Sequence, residues 1–224
     1  NDDDAMLREV KLDSSYKVNR YSLSEAKNII QNENSICFEA NVYGENTKFN
    51  LNAYGNHNVL NAICAIKIGE LLNIDKEDII NGINDYTSVD RRFKIIKENN
   101  YTIIDDTYNA SLDSMRAGLT SADKLTAKRK LAILGEMLEL GEYSKELHSQ
   151  VGEVFKDVNF DILLTQGENT EYICKTAKKY MKDKTIINFK TQEELVSYLL
   201  DTIEAGDLIY LKASKKMKFN NIVE

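Results

Sequence analysis

The chain has 224 residues, long enough for one large domain or two modest ones, and 42% of them are hydrophobic, enough for a real core. A net charge of −7 argues against nucleic acid as the default partner, since phosphate binding wants a basic face. No apolar run approaches the roughly 20 residues of a membrane span, and NDDDAML at the start is no signal peptide.

Three cysteines, Cys37, Cys64 and Cys174, lie far apart. An odd number without close spacing points to reduced thiols in a cytosolic protein, not to a disulfide frame or a zinc site. Proline is absent, against an average of about 5%.

NDDDAML shows no helix or strand lead-in and reads as the middle of something. SICFEANVYGENTKFNLNAYG, from Ser35 to Gly55, alternates in polarity around Gly44-Glu45-Asn46 and predicts a hairpin. Asn58 to Leu72 carries Val59, Ala62, Ile63, Ile66 and Leu71 at helical spacing. A second short helix is expected over Lys76 to Tyr86, behind a cap at Asp75. After Arg91-Arg92 short apolar strands alternate with amphipathic helices. The strands are expected at Lys94–Ile96 with Tyr101–Ile104, then Leu131–Leu134, Asp161–Thr165, Thr185–Phe189 and Asp207–Leu211. The helices fall at Asp113–Leu125, Lys145–Phe155, Thr170–Met181 and Gln192–Ile203. That order predicts an open, mainly parallel α/β sheet with helices on both faces, and a domain boundary near Arg92.

Such sheets collect ligands at the carboxyl ends of their strands. Those ends read Asp105-Asp106-Thr107-Tyr108-Asn109, then Gly135-Glu136-Met137 with Glu139, Gly141 and Glu142 beyond, then Gln166-Gly167, then Lys212-Ala213-Ser214-Lys215-Lys216. Carboxylates suit sugar hydroxyls or an ammonium, while Lys and Ser suit a carboxylate or phosphate. Bland readings stand beside these. Asp105, Asp106, Asp113 or Ser114 could cap the following helix, and the lysines could be a solvated helix start. His57, Asn58 and Asn61 gather at a helix N-terminus, where amides can meet an adenine edge or an anion, or simply cap. His148 reads as helix surface or packing. GxxxxGK[ST], HExxH, GxSxG and a metal cluster are all missing from the sequence.

Six segments carry more together than apart: NDDDAML, GNHNVLNAICAI (55–66), RRFKI (91–95), DDTYNASLDSM (105–115), LGEMLELGEYSKELHSQVG (134–152) and GDLIYLKASKKMK (206–218). In this order and spacing they resemble the Mur ligase family over nearly the whole chain. Within it they are most similar to the member that joins D-alanyl-D-alanine to UDP-N-acetylmuramoyl-tripeptide. The resemblance implies the tail of a central ATPase α/β domain over 1–92, then a Rossmann-like, mainly parallel open-sheet domain over 93–224. It implies an ATP-dependent peptide ligase of peptidoglycan precursor synthesis, using ATP and Mg2+, cytoplasmic and monomeric. The substrate carboxylate would become an acyl phosphate, from which the incoming amine displaces phosphate.

By motif, Asn58 and Asn61 resemble adenine-contacting amides, Arg92 an arginine that reaches the nucleotide as domains close, and Asp106 the acceptor for ribose hydroxyls. Tyr108 and Asn109 would line the closed cleft, with Lys212 and Ser214 near the carboxylate of the dipeptide. The family's phosphate-binding loop, magnesium ligands, modified lysine and UDP-sugar domain are expected ahead of Asn1, so this chain alone is expected not to hydrolyse ATP. Two departures stand out. Ser111-Leu112 replaces the family's Asn-Pro, while Ala213 and Lys215 replace a loop Gly and an Arg, with Asn220 beyond. Ala213 is expected to strain a positive-φ position, and Lys215 to lose bidentate recognition. The alternative is a paralogue or silent binding module with altered amine specificity.

Overall fold

The structure is a computed structural model that describes residues 1–11, 15–32, 35–87, 91–98 and 100–223. By internal packing the chain divides into two units, Asn1–Ser88 and Val89–Glu224.

In the first unit, Asp4 accepts hydrogen bonds from the Met6 and Leu7 N–H groups at 2.9 and 3.0 Å and starts helix α1 (Ala5–Glu9). NDDDAML therefore does lead into a helix, because a carboxylate at the N-cap satisfies otherwise orphaned donors. Strands β1 (Lys27–Gln31), β2 (Ile36–Val42) and β3 (Glu45–Leu51) form an antiparallel sheet in that order. Alternation in β2 sends Ile36, Phe38, Ala40 and Val42 inward, and Phe38 stacks on Phe49 across the strands at 5.1 Å. The hairpin turns at Tyr43 and Gly44, with φ of 50° and 81°. That is slightly earlier than the expected Gly44-Glu45-Asn46, because Glu45 already pairs with Val42. Helices α2 (Asn56–Leu71) and α3 (Lys76–Asn84) close the core with Val59, Ala62, Ile63, Ile66, Ile79 and Ile83. Leu71, expected on the buried face, is exposed. Asp75 holds the N-cap position of α3 without a side-chain bond.

The second unit is a six-stranded sheet: β4 (Lys94–Lys97), β5 (Thr102–Asp105), β6 (Arg129–Gly135), β7 (Ile162–Gln166), β8 (Thr185–Phe189) and β9 (Asp207–Lys212). Its order is β4-β5-β9-β6-β7-β8, with β4 antiparallel on the edge and every other pairing parallel. Helices α4 (Leu112–Asp123), α5 (Ser144–Glu153), α6 (Thr170–Ala177) and α7 (Gln192–Thr202) join successive strands. Residues 131–134 and 208–211 are buried without alternation, as expected for strands covered on both faces. At the other end of the sheet Arg129 grips Asp207 through Nε and a terminal nitrogen at 3.0 and 2.7 Å, tying β6 to β9. The central place of β9 sets its carboxyl end between those of β5 and β6. Among the described residues no helix is long and apolar enough to cross a membrane.

Candidate functional site

β5 ends buried at Ile104 and Asp105 and then breaks. Asp105 turns back locally, accepting the Thr107 N–H at 3.1 Å and its hydroxyl at 2.6 Å. Asp106 points into the sheet instead. Its Oδ2 accepts the Lys212 ammonium at 2.8 Å and the Tyr210 hydroxyl at 2.9 Å, while Oδ1 accepts the Phe93 N–H at 3.2 Å. Neither aspartate caps the next helix. Ser111 does, its hydroxyl accepting from the Ser114 N–H while the Ser114 hydroxyl accepts from the Ser111 N–H. The departure from the family's Asn-Pro is thus a helix start built from serine.

The ion pair is deeply set: the Lys212 side chain is 3% exposed and that of Asp106 12%. Burial pulls the Lys212 ammonium below its ordinary pKa, with Asp106 opposing the shift and Arg92 adding to it. Burial pushes the Tyr210 hydroxyl well above its ordinary value, and the Asp106 charge adds to that, so Tyr210 stays a neutral donor. Lys212 also donates to the Asp106 carbonyl at 3.3 Å, leaving one ammonium proton for anything else. Two residues expected to serve different ligands, Asp106 and Lys212, are therefore partners in one pair.

The residues beside this pair fasten to it. The Tyr108 N–H donates to the Arg91 carbonyl at 3.0 Å, and the Arg92 guanidinium lies 4.2 Å from the Tyr108 ring centroid. Lys215 approaches the same ring at 5.6 Å. Arg91 and Phe93 both have positive φ, 63° and 53°, so the segment carrying Arg92 is held in a disfavoured backbone shape. Asn109 is exposed beyond Tyr108. The basic run at the end of β9 thus splits. Lys212 is buried in the pair, whereas Lys215 and Lys216 are exposed, the latter against Glu139 at 2.8 Å.

Ser214 is buried and knits two loops together. Its N–H donates to the Glu136 carbonyl at 3.0 Å, and its hydroxyl accepts the Leu138 N–H at 2.9 Å. Its own hydroxyl proton remains available to a ligand. Ala213 is not among the positive-φ residues, so the expected strain does not arise. Its methyl instead faces Gly135, where an added Cβ would stand 2.6 Å away. Glu136 extends the lacework, accepting the Asn169 N–H at 2.7 Å.

His148 is fully buried. Its Nδ1–H donates to the Ser144 carbonyl at 2.7 Å, leaving Nε2 to accept the Met137 N–H at 3.1 Å. It is therefore an internal strut of the β6–α5 loop, of the packing kind foreseen. Burial lowers its pKa below 6.5, against weaker upward pulls from Ser144 and Glu136. A folded-state value below the unfolded one means its contribution is complete above pH 6.5 and is lost as pH falls below it. Wild-type protein should lose stability between pH 7 and pH 5 through this residue. Urea unfolding of His148→Gln, which keeps an acceptor but does not titrate, should show a smaller acid loss. An identical loss would remove His148 from the account.

Asn58 and Asn61 belong to the first unit, one turn apart in the first turns of α2. Asn58 donates to the Tyr54 carbonyl at 2.8 Å and contacts His57 at 3.1 Å, leaving its carbonyl oxygen as acceptor, while Asn61 is exposed. Sequence reasoning passed over Tyr210 and Gly118. Gly118 lies in α4 over the pair, where a Cβ would stand 1.8 Å from the Tyr210 hydroxyl. A lone glycine inside an amphipathic helix was the available signal.

Comparison with known proteins agrees with this architecture. Residues 91–215 match the family described as Mur ligase, glutamate ligase domain. The UDP-N-acetylmuramoyl-tripeptide–D-alanyl-D-alanine ligase of Bacillus subtilis is 33% identical over 182 residues, covering 80% of this chain and 40% of its own length. A crystal structure of MurF from Acinetobacter baumannii superposes with a TM-score of 0.78 at 25% identity, over 88% of this chain and 43% of that one. MurF of Thermotoga maritima in complex with ADP superposes with a TM-score of 0.69 at 25% identity, over 88% and 44%. The chain thus spans about two-fifths of the relatives it matches. With more than half of its residues inside the family match and its fold superposing on solved members, the chain belongs to the Mur ligase family.

Proposed function

We propose that this chain is the C-terminal part of an ATP-dependent ligase that joins D-alanyl-D-alanine to UDP-N-acetylmuramoyl-tripeptide in peptidoglycan precursor synthesis. The observation that carries the reading is the rim itself: in a chain of this family, Asp106, Arg92, Tyr108, Lys212 and Lys215 gather at the carboxyl ends of β5 and β9. A carboxylate paired with one ammonium, beside a tyrosine ring that carries two further cations, suits a ligand that carries both hydroxyls and phosphates. The ADP in the Thermotoga maritima neighbour supports the same assignment.

We assign Asp106 to ribose hydroxyls, Arg92 to the phosphates, and Asn58 and Asn61 to the adenine edge. Tyr108, Asn109, the Ser214 hydroxyl and the remaining proton of Lys212 are assigned to the amine substrate. The join between the central-domain tail (1–92) and the C-terminal domain (93–224) we keep at Arg92, a few residues past the change of packing unit. ATP supplies the phosphoryl group that activates the substrate carboxylate. The residues here bind and orient, and the interlocking of their loops helps to protect an acyl phosphate from hydrolysis. On the family likeness, Mg2+ and the chemical step are assigned to residues outside this chain. By itself the chain should not hydrolyse ATP. Three free thiols support a reducing, cytoplasmic setting, and a monomer is the proposed state.

A second reading, a paralogue or silent module with altered amine specificity, draws on Lys215. An ammonium beside the Tyr108 ring cannot offer the planar fork of an arginine. The deciding experiment measures phosphate release by the full-length protein with ATP, magnesium and UDP-N-acetylmuramoyl-tripeptide. Release that depends on D-alanyl-D-alanine is expected. Release only with another amine would move specificity to Ser111, Leu112 and Lys215, and no release from folded protein would favour the silent module.

A further inference from the structure

Asp106 has two oxygens and about four acceptor sites. Oδ2 receives both the Tyr210 hydroxyl at 2.9 Å and the Lys212 ammonium at 2.8 Å, and Oδ1 receives the Phe93 N–H at 3.2 Å. One acceptor site therefore remains, on Oδ1. Lysine is a compact charge on a flexible stem and cannot by itself fix which way a carboxylate is turned. Tyr210 can. It is completely buried in the middle of β9, its ring 6.1 Å from that of Phe93, and its hydroxyl enters a recess in α4. Gly118 makes that recess: a Cβ there would stand 1.8 Å from the hydroxyl, 2.7 Å from Tyr210 Cζ and 2.9 Å from Asp106 Oδ2.

We infer that Tyr210 is a positioning residue for nucleotide recognition: admitted by Gly118, its hydroxyl holds Asp106 Oδ2 inward and so presents Oδ1 as the single acceptor for the ribose. This rests on the reading of Asp106 as the ribose acceptor. It explains why a strand whose other central residues are Leu and Ile carries a fully buried phenol opposite a helical glycine. Tyr210 touches no substrate. Its effect passes through the carboxylate, and Lys212 supplies charge to the same oxygen without defining its orientation.

The test compares ATP with 2′,3′-dideoxy-ATP as substrates of the full-length protein, in wild type, Tyr210→Phe and Asp106→Asn. Phenylalanine keeps the ring and removes only the donor, and thermal unfolding checks that the fold survives. The ratio of the two KM values should fall roughly tenfold in Tyr210→Phe, towards that of Asp106→Asn. The KM for the amine and the kcat at saturating ATP should stay at wild-type values. A wild-type ratio in Tyr210→Phe, with the ratio abolished in Asp106→Asn, would overturn the inference and leave the ribose reading standing. So would an equal rise in the KM for the amine, since that marks general damage to the rim. An unchanged ratio in Asp106→Asn would overturn both at once.

Discussion

Gly118→Ala should destabilise the protein by about 3 kcal/mol, the upper part of the usual range for overpacking a closed core. Helix propensity alone predicts the opposite sign, a gain of about 1 kcal/mol for alanine in a helix interior. The difference comes from what the new methyl would meet. Its Cβ falls 1.8 Å from a hydroxyl on a side chain with no exposed surface, so Tyr210 has nowhere to retreat. Either α4 lifts from β9 or the phenol leaves Asp106. The double variant Gly118→Ala/Tyr210→Phe should recover part of the loss, because the nearest clash is gone while Cζ at 2.7 Å remains too close. Urea midpoints of the single and double variants measure this. A more stable Gly118→Ala protein would show that the recess is not tight.

Asp106→Ala should cost about 3–5 kcal/mol, the usual penalty for leaving a buried charge without its partner. A ribose contact by itself would confine the change to ATP affinity in an otherwise intact fold. Burial of the partner alters that expectation: Lys212, 3% exposed, would keep an ammonium in a dry site, and the Tyr210 hydroxyl and Phe93 N–H would lose their acceptor. Asp106→Ala/Lys212→Met should restore most of the stability, since an apolar pair of similar volume is often no worse than a buried ion pair. It should not restore ATP affinity. Denaturant unfolding and the KM for ATP separate the two effects, and unchanged stability in Asp106→Ala would contradict the depth of the pair.

The alternation of strands and helices after Arg92 was legible because each segment repeats a simple period. Thr185–Phe189 was expected and found with the same ends. β6 runs longer than expected, from Arg129 to Gly135, because Arg129 is held by Asp207, a residue far along the chain. β1 was missed altogether. KNIIQ is an edge strand with no buried residue, so it lacks the apolar alternation that marks a strand. The importance of Asp106 and Lys212 could be suspected from their types and from the carboxyl-end rule. Their pairing could not, since they stand 106 residues apart and only the insertion of β9 beside β5 brings them together. The same holds for Tyr210, which in DLIYLK looks like one more apolar strand residue. Ser111 was a different failure. The capping box is present, but with serine in place of the usual Glu or Gln at its third position, so nearby aspartates drew the attention.

The last strand of this chain to leave the ribosome is the one that belongs in the middle of its sheet. Until residue 212 emerges, β5 and β6 have no neighbour on the sides that β9 will fill, and both present open edges. Synthesis therefore yields two incomplete half-sheets first, and the parallel pairings β5–β9 and β6–β9 close only after translation has passed them. A nascent chain stalled before Asp207 would have neither a finished core nor a rim, and its bare edges would be targets for chaperones and proteases.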